Sequence, residues 1–114
     1  MKKIIRIAII LMMSGFLKPA TAQTDTARIQ TSAICEQCKD RIENDLSFEK
    51  GIKSSSLDLK TKIVTVVYNP TKTDVQKIRE AITKIGYDAD TLTTDPMSYR
   101  KLPACCRHDA KQHQ

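Results

Sequence analysis

The chain has 114 residues, 28% of them charged, with a formal net charge of +6 and only 4% aromatics. That length admits one small domain. With few aromatics and no basic stripe interleaved with them, nucleic-acid binding is excluded. His108 and His113 are the only histidines, both in the tail, and no Gly-rich phosphate loop is present, so Ser/His/Asp hydrolysis has no support.

Met1-Lys2-Lys3 with Arg6 makes a positive start, Ile7 to Leu17 is an almost unbroken apolar run, and Ala20-Thr21-Ala22 is a small-x-small pattern. Residues 1–22 therefore read as an export signal cleaved after Ala22, with Gln23 as the first mature residue. The apolar run falls short of the about 20 residues a membrane helix needs. Lys2, Lys3, Arg6 and Lys18 lie in this segment, so of 19 basic residues 15 remain against 13 acidic ones, a net charge of +2. The basic excess belongs mostly to targeting, and the expected location is periplasmic or secreted.

Residues 27–33 alternate and predict a first strand. Cys38, Ile42 and Leu46 then recur at helical spacing within a helix over 38–49, which Gly51 stops. Residues 52–59 and 62–68 predict two strands joined by the turn Lys60-Thr61, with a bulge near Ile52. Asn69-Pro70 ends that hairpin. Thr73, with Gln76 three residues on, offers a capping box for a second helix, whose stripe is Val75, Ile78, Ala81, Ile82 and Ile85 and whose stop is Gly86. Residues 87–92 predict a last short strand. The order β-α-β-β-α-β over residues 23–92 predicts an α+β fold, a ferredoxin-like sandwich with a four-stranded antiparallel sheet and two helices on one face. From Thr93 the polar composition, with Pro96 and Pro103, predicts a C-terminal tail over 93–114 without further elements.

Four cysteines, Cys35, Cys38, Cys105 and Cys106, fall as two close pairs at opposite ends of this domain. Cys35-Glu36-Gln37-Cys38 sits where the first strand hands over to the first helix. There the unpaired backbone N–H groups and the helix dipole favour thiolate, the species that binds metal. Two intervening residues let both sulfurs converge on one ion. Two thiolates on a surface loop suit Cu(I), and take Hg(II) or Zn(II) with added ligands. The same spacing also serves a redox-active dithiol, a disulfide or half of a zinc site.

Strand, CxxC and helix, followed by the remaining elements and by Gly86-Tyr87 after the second helix, resemble the heavy-metal-associated domain over residues 27–92. That family comprises copper chaperones, the N-terminal modules of metal-pumping ATPases and periplasmic mercuric-ion-binding proteins. The resemblance implies that Cys35 and Cys38 are the metal ligands and that Tyr87 lies beside the metal loop. Together with the export signal, it implies an exported carrier, not an enzyme, that passes the ion to a metal-transporting membrane protein or another metal-binding domain. Ser32, Ala33 and Ile34 stand where the family usually has Gly, Met and Thr or Ser.

In the tail, Cys105 and Cys106 with His108, and more remotely His113, form a candidate accessory soft-metal cluster. A last strand running the length of the sheet would leave this tail about 20 Å from the Cys35 loop, a gap that its extended chain can span. The alternatives are a thiol–disulfide oxidoreductase using the same CxxC and a metal-sequestering buffer. Against the oxidoreductase, Ile34 rather than an aromatic precedes Cys35, and no proline is placed to pack on the dithiol.

Overall fold

The computed structural model describes residues 23–107. The export signal over 1–22, His108 and His113 lie outside the described residues.

Strand β1 (Asp25–Gln30), helix α1 (Glu36–Leu46), strands β2 (Ile52–Asp58) and β3 (Ile63–Tyr68) and helix α2 (Val75–Ile85) follow the expected order. The sheet is antiparallel with β3 in the middle, in the order β1-β3-β2. Alternation along the strands decides which face is buried. Ala27 and Ile29 on β1, Leu57 on β2, and Val64, Val66 and Tyr68 on β3 all point into the core, where α1 contributes Cys38, Ile42 and Leu46 and α2 contributes Ile78 and Ile82. The expected bulge is present as a register shift between Ile52 and Ser54. Helix α1 is tied to the sheet by the Glu43 carboxylate, which accepts from the Leu57 amide at 2.7 Å.

Three features depart from the sequence reading. Asp74, not Thr73, caps α2: its carboxylate accepts from the Lys77 amide at 2.8 Å. Thr73 is instead buried, and packs its methyl beside Gly51, which has φ +84.

The second departure is the missing fourth strand. Residue Ala89 makes a single bridge to Thr31, then pairs back on Leu92. Between them Asp90 takes φ +53, a conformation Asp tolerates because its short polar side chain bonds locally. Here the Asp90 carboxylate accepts from the Gln30 amide at 2.9 Å and pairs with Arg79 at 2.8 Å. The Asp90 amide donates to the Gln30 carbonyl at 2.8 Å. The edge of β1 is thus closed by one turn instead of a strand, and the chain reverses at the Cys35 end of the sheet.

The third departure follows from the second. Residues after Thr93 are not an element-free tail: Asp95 caps a short helix α3 (Pro96–Arg100), with its carboxylate accepting from the Ser98 amide at 3.0 Å, and a 3₁₀ turn covers Ala104–Cys106. Between them Leu102 is 4% exposed and sits over Gly86. A Cβ on Gly86, which has φ +124, would stand 2.9 Å from the Leu102 Cγ. Glycine here both permits the backbone turn and leaves the seat for Leu102. Replacing Gly86 with Ala should cost about 1–3 kcal/mol from backbone strain, with a further loss as Leu102 is displaced. Urea unfolding should show the lowered midpoint, and an unchanged midpoint would refute the packing described.

Candidate metal centre

The loop from Thr31 to Cys35 is held at both ends. Thr31 donates its amide and hydroxyl to the Lys62 carbonyl, both at 2.8 Å, and its hydroxyl accepts from the Ala33 amide at 3.2 Å. The Ser32 hydroxyl accepts from the Asp88 amide at 2.9 Å, linking the loop to the segment after α2. Ala33 is fully buried. Small residues therefore anchor the loop from below, leaving Cys35 half-buried at its top and Cys38 buried beneath it.

Cys35 occupies the N-cap of α1 with extended backbone, φ −152, and Cys38 falls in the first turn. Their sulfurs are 3.1 Å apart, and both thiols are free. The second pair joins them. The Cys106 sulfur lies 3.8 Å from that of Cys35 and 3.8 Å from that of Cys105. The sulfurs of Cys35, Cys105 and Cys106 all lie within 4.8 Å of one another. Cys105 also donates to the Gln37 side-chain oxygen at 2.8 Å, and Cys35 reaches the Cys105 carbonyl at 3.4 Å. The expected 20 Å gap does not exist, because the turn at Asp90 has already brought the chain back.

Tyr87 is 1% exposed, beside the cysteines. Its hydroxyl has no hydrogen-bond partner among the described residues, yet it lies beside the Cys38 and Cys106 thiols and draws both down. Burial, then those two neighbours, push the Tyr87 phenol above its ordinary range.

The thiols are unequal. Burial pushes the Cys38 thiol up, but the Tyr87 hydroxyl, the Ile34 backbone amide and the thiols of Cys35 and Cys106 together outweigh it, leaving Cys38 below the ordinary cysteine value. Cys35 is raised, by burial first and then by its Cys38 neighbour. Cys106 is pushed up to about 12, again by burial first and then by Cys38. A first negative charge on Cys38 thus opposes further ionisation around it. A soft cation among these sulfurs reverses the sign of that argument, since each thiolate then faces positive charge.

The structure brings Cys35 and Cys38 together and sets Tyr87 beside Cys38, the place that the family resemblance implied for it. The sequence left the approach of Cys105 and Cys106 open, and it missed Gln37, whose side chain fixes Cys105.

Residues 31–88, just over half the chain, match the family described as the heavy-metal-associated domain. A copper-exporting P-type ATPase of Staphylococcus saprophyticus is 40% identical over 66 residues, which are 57% of this chain and 8% of that protein. This chain therefore spans a small fraction of that relative. Among solved structures, a CopZ metallochaperone is 27% identical with a TM-score of 0.55, the match covering 57% of this chain and 98% of that one. Oxidized MerP from Ralstonia metallidurans CH34, at 23% identity, TM-score 0.57, 60% of this chain and 96% of that one, shares the fold.

The Tyr87→Phe variant should leave stability nearly unchanged, since the hydroxyl has no hydrogen-bond partner among the described residues, while raising the pH at which Cys38 ionises. Cysteine ¹³Cβ shifts followed against pH would report this. An unmoved Cys38 titration would mean that the hydroxyl does not influence the sulfur.

Proposed function

The chain belongs to the heavy-metal-associated domain family, and from that premise we propose that it is an exported carrier of a soft metal ion. The ion is captured by the thiolates of Cys35 and Cys38 and passed on by stepwise thiolate exchange. Cu(I) is the first choice, with Hg(II) or Zn(II) taken with added ligands. The observation that carries this reading is the 3.1 Å approach of two free sulfurs at the N-terminus of α1.

Capture and hand-over need no catalysis. A thiolate of the receiving site attacks the bound ion, a mixed complex forms, and each donor sulfur leaves in turn. The receiver is a metal-transporting membrane protein or a second metal-binding domain, in keeping with the copper-exporting relative. Export is supported by the basic start, apolar run and Ala20-Thr21-Ala22 pattern of residues 1–22. No helix among the described residues is long and apolar enough to cross a membrane.

Reduced protein titrated anaerobically with Cu(I) against a competing chelator should bind one ion tightly. Cys35→Ser/Cys38→Ser should abolish that binding, and equal affinity in this variant would sink the assignment. For export, the full chain expressed in a Gram-negative host should yield a periplasmic product beginning at Gln23 by mass spectrometry. Recovery with an intact leader in the cytoplasm would overturn it.

A further inference from the structure

The C-terminal segment lies beyond residue 88, where the family match ends, yet it is built into the metal centre. Cys106 is 1% exposed and Leu102 4% exposed. Leu102 is seated on Gly86, Asp95 fixes the start of α3, and Gln37 holds the Cys105 thiol over the first turn of α1. These contacts deliver two thiols to Cys35 from one direction.

The spacing has chemical meaning. Around a tetrahedral ion with metal–sulfur bonds of about 2.3 Å, neighbouring sulfurs stand about 3.8 Å apart. The Cys35–Cys106 and Cys105–Cys106 separations are both 3.8 Å, whereas Cys35 and Cys38 stand at 3.1 Å, closer than such an edge. We infer that Cys105 and Cys106 bind the same ion as Cys35, so that the C-terminal segment converts an open dithiol into a closed site of at least three thiolates. This rests on the soft-metal reading above and deepens it: the site suits a thiophilic ion held by three or four sulfurs, with Cu(I) as a three-thiolate complex and Zn(II), Cd(II) or Hg(II) with the added ligands they take.

Closure has a consequence for release. With Cys105 and Cys106 bound, an incoming thiolate from a receiving protein meets at most one open position, where the bare dithiol would leave two. Withdrawal of Leu102 from its seat on Gly86 would carry the vicinal pair away and reopen the ion. The segment is then an intramolecular competitor for the ion, and its docking governs hand-over.

Cd(II) is the probe, because the ultraviolet sulfur-to-cadmium charge-transfer intensity grows with the number of Cd–S bonds. One equivalent added to the reduced full-length protein should give the intensity of three or more such bonds. Cys105→Ser/Cys106→Ser should lower it to that of two and weaken binding by at least about tenfold. Cys38→Ser should retain the three-sulfur signal. Leu102→Ser keeps all four thiols but removes the apolar seat, and should weaken Cd(II) binding about tenfold or more, with circular dichroism confirming the fold.

If the tail variant matches wild type while Cys35→Ser/Cys38→Ser loses binding, the three-thiolate inference falls and the dithiol carrier stands. If wild-type protein binds Cd(II) and Cu(I) no better than a small dithiol does, the carrier reading itself falls. If Leu102→Ser binds like wild type, docking does not govern the site.

Discussion

The seat of Leu102 on Gly86 is the contact on which the arrangement of the metal centre depends. A split β-α-β sandwich with a full last strand sends its C-terminus away from the loop that follows the first strand. Here the chain turns at Asp90, runs back past the end of α2 and crosses Gly86 just before the second cysteine pair. Only glycine leaves room for Leu102 there, and its φ of +124 is unfavourable for any other residue. Burying a leucine side chain contributes about 1.5–3 kcal/mol. That is enough to seat a short segment and modest enough to let it leave, so the contact works as a latch.

The electrostatics of the sulfur cluster reinforce this. Without a cation the cluster opposes its own ionisation, with Cys38 the thiol that ionises most readily and Cys35 and Cys106 raised above their ordinary values. On the three-thiolate proposal, a metal ion would relieve the repulsion and link the segment to the loop through bonds to both. Ion binding and docking of the segment therefore favour one another, since each is stronger when the other is present. Tyr87 fits the same logic. Its hydroxyl dipole lies beside the sulfurs of Cys38 and Cys106 and so touches both halves of the centre.

Much of the fold was legible in the sequence because it rests on local signals. The apolar stripe of α2, the β-branched run of β3, the bulge at Ile52 and the stop at Gly86 each declare themselves over a few residues. Cys35 and Cys38 declare themselves by spacing and by position between a strand and a helix. The fourth strand is not formed because residues 87–92 fold into a turn, held by Asp90 and by the Ala89–Leu92 backbone bonds. Asp90 finds the Gln30 amide and Arg79, partners that only the folded chain supplies. The start of α3 did carry a signal: Asp95-Pro96 is a cap followed by proline at the first helical position. It was masked by the polar composition around it. Leu102, a lone apolar residue between polar ones, had no periodicity to mark it, so the docking of the segment and the approach of Cys105 and Cys106 could not be read from pattern.

What the second cysteine pair changes is the balance between holding an ion and giving it away. An open two-sulfur loop exchanges ligands readily because an incoming thiolate finds an empty side. A site closed by Cys105 and Cys106 holds more firmly, and exchange then waits on the latch. On the carrier proposal the two behaviours could coexist in one chain, because the closing ligands sit on a short segment whose Leu102 is seated on Gly86, not on the sheet or the main helices. Retention and transfer then become two states of the same centre, set apart by the position of one leucine.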